Sequence, residues 1–162
     1  MTFTKALIIC GSNSKESKSF EIAQTLSKEL SLWTIYLNSY DSNVPLLNNH
    51  LINEKKIPPS ISFLSEKILE HNILLFVFPQ YNYNFSGFFK NILDWCSLHT
   101  KKLFYKKRVI LIGVSSTNIG EEEFKKIVSW TFYSLGAEDI HFFNKTPNIN
   151  LMEFIKEMKK YV

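Results

Sequence analysis

Two short polar stretches hold the side chains best suited to chemistry. The first is Gly11-Ser12-Asn13-Ser14-Lys15-Glu16-Ser17-Lys18-Ser19. It follows the apolar run Ala6–Cys10 and precedes Phe20, Ile22, Ala23, Leu26 and Leu30, which recur at helical spacing. Serine hydroxyls, the free N–H groups of a helix start and the positive end of its dipole then converge, and an anion of phosphate size is their natural guest. Neither GxxxxGK[ST] nor GxGxxG is present. Serines also cap helices with no ligand at all, so this stretch alone supports either reading. The second stretch is Gln80-Tyr81-Asn82-Tyr83-Asn84. Two phenol rings and two carboxamides together offer flat apolar surface and amide hydrogen bonds, which suit a flat polar heterocycle better than a metal or a bare phosphate.

These stretches need elements to position them. Ile73–Phe78 is unbroken and apolar, the pattern of a strand covered on both faces of a parallel sheet, and Pro79 ends it. Gly87 then opens a helix on which Phe88, Ile92, Trp95 and Cys96 share a face. Residues 33–37 alternate as a second strand, residues 38–59 form a long polar connection containing Asp41 and Pro45, and residues 60–71 form a helix with Ile61, Leu64, Ile68 and Leu69 inward. Val109–Val114 reads as a fourth strand. Residues 121–135 read as a helix carrying Phe124, Ile127, Val128, Thr131, Phe132 and Leu135, with Gly136 as its stop. Residues 140–143 form a fifth strand, and residues 151–161 a last helix with Leu151, Phe154, Ile155 and Met158 inward.

Five strands alternating with five helices predict an α/β fold with one parallel sheet, in the order 2-1-3-4-5, over a single domain of residues 1–162. That order puts strands 1 and 3 beside the switch point, so the serine loop and the tyrosine loop open into one crevice, closed on its far side by Ser115 and Ser116.

Composition narrows the classes. Apolar residues make up 45% and charged residues 21%, an ordinary soluble composition. The net charge of +4 comes from scattered lysines, which argues against nucleic-acid binding. Cys10 and Cys96 read as reduced core thiols of a cytoplasmic protein. Met1 to Lys5 lead straight into a strand with no signal peptide, and no apolar run reaches the roughly 18 residues of a membrane span. The four histidines are dispersed, so no metal site is expected.

The chain resembles the NADPH-dependent FMN reductase family, small flavodoxin-like enzymes that include quinone, azo-dye and chromate reductases. Gly11-Ser12 with Ser17 is similar to that family's GSxxxxS phosphate loop. Pro79-Gln80-Tyr81-Asn82, Gly87, Lys90-Asn91 and Asp94-Trp95 follow its PEYNxxxxGxxKNxxDW pattern. Pro45 and Pro58-Pro59 also fall where such proteins often place prolines. The resemblance implies a flavodoxin-like three-layer sandwich. It also implies an FMN-dependent NAD(P)H oxidoreductase passing hydride from NADPH or NADH through bound FMN to a small-molecule electron acceptor. The alternatives are a flavodoxin-like electron carrier and a family member that has lost flavin.

By the same resemblance, Ser12, Ser14, Ser17, Lys18 and Ser19 surround the FMN phosphate. Pro79, Gln80, Tyr81 and Asn82 border the isoalloxazine, largely through backbone. Tyr83 lies beside the ring or the ribityl chain, and Ser115 lines the other side. No side chain is assigned a catalytic role. Backbone N–H groups of residues 80–82 and the helix start near Ser86 are expected to stabilise negative charge on reduced flavin. Lys90, Asn91, Asp94 and Trp95 are expected to fasten their helix to the loop and to contribute to a homodimer or homotetramer contact. The chain departs from the family at three places. Gln80 stands for a glutamate, Ser14 for an arginine, and Asn118-Ile119-Gly120 with three glutamates for a glycine-rich run. The glutamates disfavour the extra phosphate of NADPH.

Overall fold

The computed structural model describes residues 5–40 and 43–162. The expectation that Met1 to Thr4 lead straight into a strand, and the polar Asp41, concern residues 1–4 and 41–42, outside the described residues.

Five parallel strands form one sheet in the order β2-β1-β3-β4-β5. They are β1 (Ala6–Cys10), β2 (Thr34–Tyr36), β3 (Ile73–Pro79), β4 (Arg108–Val114) and β5 (Asp139–Lys145). The helices are α1 (Lys18–Leu30), α2 (Asn49–Glu54), α3 (Pro59–Leu69), α4 (Gly87–His99), α5 (Glu121–Ser134) and α6 (Leu151–Met158). β3 sits at the centre. Its register pairs Leu7 with Leu74 on one side and Leu74 with Val109 on the other.

Alternation along the strands divides the core into two. Leu7, Ile9, Leu74, Phe76, Phe78, Val109 and Leu111 face α3, α4 and α5, while Ile8, Cys10, Leu75, Val77, Ile110 and Ile112 face α1 and α6. Both faces are covered, so the central strands are apolar throughout except for the exposed Arg108 that opens β4. The first core is an aromatic cluster. Phe76 lies 4.8 Å from Phe132, 5.6 Å from Phe104 and 6.1 Å from Phe89, between ring centroids. These spacings fall in the range that favours tilted and edge-on pairs.

Several expected faces shift by a residue. In α4 it is Phe89, not Phe88, that is fully buried, because the helix starts at Gly87 and turns Phe88 toward the rim. Leu69 and Ile127 are exposed, since α3 and α5 each present only a narrow stripe to the sheet. The connection 38–59 is also less irregular than its composition suggests. Leu37–Tyr40 forms a turn of 3-10 helix, and Asn48 caps α2 by accepting from the Leu51 amide at 3.1 Å.

Asn91 and Trp95 fasten this connection, and not the tyrosine loop, onto α4. Trp95 Nε1 donates to Pro45 O at 2.8 Å, Asn91 Nδ2 donates to the same carbonyl at 3.1 Å, and the Leu47 amide donates to Asn91 Oδ1 at 2.9 Å. The Lys90–Asp94 pair, 2.6 Å apart, staples the outer face of the helix.

Candidate functional site

The serine loop joins β1 to α1 at the carboxyl edge of the sheet. Gly11 anchors it by donating its amide to Val77 O at 2.8 Å. A Cβ on Gly11 would stand 2.9 Å from the Phe89 ring, so only glycine lets the loop leave the strand over that ring. Ser12 is buried, and its hydroxyl folds the loop back by bonding the Ser14 carbonyl at 3.3 Å and the Ser14 amide at 3.2 Å. Ser14 Oγ accepts from the Glu16 amide. Ser17 is the N-cap: its Oγ accepts from the Phe20 amide at 3.1 Å and donates to Ser14 O at 2.9 Å. The Lys18 and Ser19 amides, at the first two helical positions, have no carbonyl within the helix to donate to. Lys18 itself is committed outward, pairing with Glu21 at 2.8 Å on an exposed face, where such a pair contributes little.

Ser19 is 1% exposed, and its hydroxyl finds no partner in the protein. A buried polar group left unpaired is costly. Thr34, Ser60 and Ser65 carry buried unpartnered hydroxyls too, so it is the two free amides that make the start of α1 fit for an anion that brings acceptor oxygens.

The tyrosine loop follows Pro79. The Gln80 amide donates to Val114 O at 2.9 Å, which ties the loop to the end of β4. Tyr81 and Asn84 exchange both backbone hydrogen bonds at 2.9 Å, and Asn82 and Tyr83 between them have φ of 48° and 61°. That is the φ signature of a two-residue type I′ turn. Asparagine accepts the left-handed region readily, whereas a tyrosine there is uncommon. The turn is held partly from outside: the Tyr83 ring rests on Gly120, where a Cβ would come within 2.0 Å of it. Gly120 also has φ of 72°. Gly120→Ala is therefore expected to destabilise by about 2 kcal/mol through backbone strain and displacement of the ring. In the Tyr83→Ala background the steric part disappears, and a double-mutant cycle of unfolding free energies measures the difference.

Gln80, Asn82, Tyr83, Ser115, Ser116, Thr117 and Ile119 line one open crevice of about 430 Å³. Its size is ordinary for a small-molecule site. Of the residues expected from sequence, Gln80, Asn82, Tyr83 and Ser115 meet here. Pro79 ends β3 just behind them, and Tyr81 is exposed at the mouth. Contrary to the expectation of one shared crevice, no residue of the serine loop lines it: Ser12, Ser14, Ser17, Lys18 and Ser19 lie apart from it, at the start of α1 along the same sheet edge. Glu121 and Asn144 were not anticipated: Asn144 hydrogen-bonds both Ser115 and Glu121. A larger, shallower groove of about 610 Å³ runs along the outer face of α5, from Glu122 and Glu123 in its first turn past Trp130 and Tyr133.

Cys10 lies directly beneath the serine loop. Burial pushes its thiol up to about 11 and that of Cys96 up to about 12. Both are fully buried and unpaired. An aromatic disulfide reagent at mildly alkaline pH is expected to titrate neither thiol in the native protein and both in denaturant. Among the described residues, no three His, Cys, Asp or Glu side chains cluster to hold a metal, and no helix is long and apolar enough to cross a membrane.

Comparison with known proteins agrees with this geometry. The model of the NADPH-dependent FMN reductase family matches residues 4–137. An NAD(P)H-dependent FMN reductase of Pseudomonas aeruginosa is 31% identical over 104 residues, 64% of this chain and 54% of the relative. An NADPH:quinone oxidoreductase of Arabidopsis thaliana is 31% identical over 113 residues, 70% of this chain and 55% of the relative. The chain thus spans about half the length of these curated relatives. Among solved structures, an NADH:FMN oxidoreductase in its apo form superposes with a TM-score of 0.75 at 11% identity, over 98% of this chain and 87% of that one. An FMN-dependent NADH-azoreductase of Bacillus anthracis in complex with FMN gives 0.64 at 20% identity, over 98% and 97%. At these identities the structural matches establish the flavodoxin-like fold.

Proposed function

Because the chain belongs to the NADPH-dependent FMN reductase family, we propose that it is an FMN-dependent NAD(P)H oxidoreductase. Its acceptor is a small molecule of the quinone, azo, flavin or metal-oxyanion class. The observation that carries this reading is the pairing of two unlike walls at one sheet edge: an anion-ready helix start with two free amides, and an aromatic turn beside an amide-lined crevice. FMN is phosphate at one end and flat polar heterocycle at the other.

On this reading Ser12, Ser14, Ser17 and Ser19, with the first amides of α1, hold the phosphate. Ser12 and Ser17 act chiefly by shaping the loop, since their hydroxyls already bond its backbone. Lys18 contributes only long-range charge. Pro79, Gln80, Tyr81, Asn82 and Tyr83 border the rings, and Ser115 lines the facing wall. FMN held there would supply the hydride chemistry between a reduced nicotinamide and the acceptor. The protein orients the ring, excludes water from one face of it and offers hydrogen bonds to its edge. The carboxylates of Glu121, Glu122 and Glu123 in the first turn of α5 disfavour the additional phosphate of NADPH relative to NADH.

The same reading takes residues 1–162 as one flavin-binding unit acting in the cytoplasm, where two unpaired buried thiols are stable. It takes the protein as a homodimer or homotetramer whose contact includes the exposed Trp130 and Tyr133 of α5. Titrating the full chain into FMN tests the reading: saturable quenching of flavin fluorescence is expected, followed by steady NADH oxidation with a quinone. Quenching without turnover would make the protein a carrier, and no quenching would remove the flavin altogether.

A further inference from the structure

Ser115 stands between two side-chain amides. Its Oγ is in close contact with Gln80 Oε1 as the amide is placed and lies 2.8 Å from Asn144 Oδ1, so one hydroxyl proton faces two amide oxygens, while Asn144 Nδ2 lies 3.2 Å from Glu121 Oε2. A single chain of hydrogen bonds therefore crosses the crevice wall from the loop after β3 to the start of α5. Its direction follows from proton counting. A carboxylate only accepts, so Asn144, which is buried, must give Glu121 its NH2 and keep Oδ1 for Ser115. A hydroxyl has one proton. Ser115 gives it to Asn144 and can then only accept from Gln80. The Gln80 amide must turn Nε2 to Ser115 and Oε1 to the open crevice. Amide nitrogen and oxygen share one shape, so the anion at the far end of the chain decides between them.

We propose that Glu121, acting through Asn144 and Ser115, is a positioning residue that sets the polarity of the Gln80 amide. The crevice then presents a carbonyl acceptor to an N–H group of its occupant. The proposal rests on the flavin reading, and the N3–H of an isoalloxazine is a donor of that kind. The chain also accounts for glutamine at position 80. Carboxylates at both ends would leave one acceptor facing another, whichever way the hydroxyl and the Asn144 amide turned.

The test uses the full chain with Gln80→Glu, Glu121→Gln and the double variant. Thermal unfolding is followed without flavin, and FMN affinity by fluorescence. Gln80→Glu alone is expected to lower Tm by about 3 °C, as expected for one half-buried acceptor left unpaired. It is also expected to weaken FMN by about tenfold. Adding Glu121→Gln is expected to restore most of both losses, because the new amide donates to Asn144 Oδ1 and the chain runs in reverse. In the unaltered protein, NMR is expected to show the Gln80 side-chain NH2 protons close to the Ser115 methylene. Purely additive effects of the two substitutions, or those NH2 protons facing away from Ser115, overturn the proposal. An unaltered protein that never binds FMN overturns the flavin reading instead, and the unfolding and NMR measurements still decide the relay.

Discussion

Ser17→Asp is expected to bind FMN about 100-fold more weakly while folding at least as stably. The two effects have opposite signs because they act on different partners. Ser17 caps α1 through the Phe20 amide, and aspartate caps as well as serine. The added charge also lies at the positive end of the helix dipole, which is stabilising by about 0.5 kcal/mol. The phosphate meets the same charge as a repulsion. Two like charges about 5 Å apart near a protein surface cost about 3 kcal/mol, and each 1.4 kcal/mol is a factor of ten. Riboflavin, which lacks the phosphate, should lose little, so the ratio of the two affinities is the measurement. Equal weakening of both ligands would mean that the substitution disturbed the crevice, and unchanged FMN affinity would place the anion elsewhere.

The frame of the protein was legible because it depends on patterns that are local in the chain. Ile73–Phe78 has no polar residue, and only a strand with helices on both faces needs none. The serine loop and the turn at residues 81–84 could be placed because each sits between a strand and a helix that announce themselves. What escaped was tertiary. Nothing in the neighbourhood of Asn144 or Glu121 in sequence says that they meet Ser115, since they come together only when β4 and β5 pair and α5 packs back. The exchange of Phe88 for Phe89 as the core residue had a similar origin. The two are adjacent, both are phenylalanine, and the choice turns on where the helix begins, which Ser86 fixes by capping the Phe89 amide at 3.1 Å.

That choice matters because Phe89 supports both walls of the site. Its ring stacks on Phe78 at 5.4 Å and meets Phe85 edge-on at 5.4 Å, and Gly11 rests against its face. Phe85 follows directly on the tyrosine turn, and Gly11 opens the serine loop. Phe89→Ala is expected to cost about 4 kcal/mol, the usual loss for a buried ring replaced by a cavity. That corresponds to a fall in Tm of roughly 12 °C for a chain of this size. The loss should not stop at stability. With the ring gone, Gly11 and Phe85 lose the common surface that sets the separation of the two walls, so FMN binding should weaken even at temperatures where the variant is fully folded. Phe89→Leu fills most of the volume without the flat face. It should recover over half of the stability, and less of the affinity, if the ring acts as a spacer between the walls. Recovery of both in the same proportion would mean that Phe89 serves the core alone.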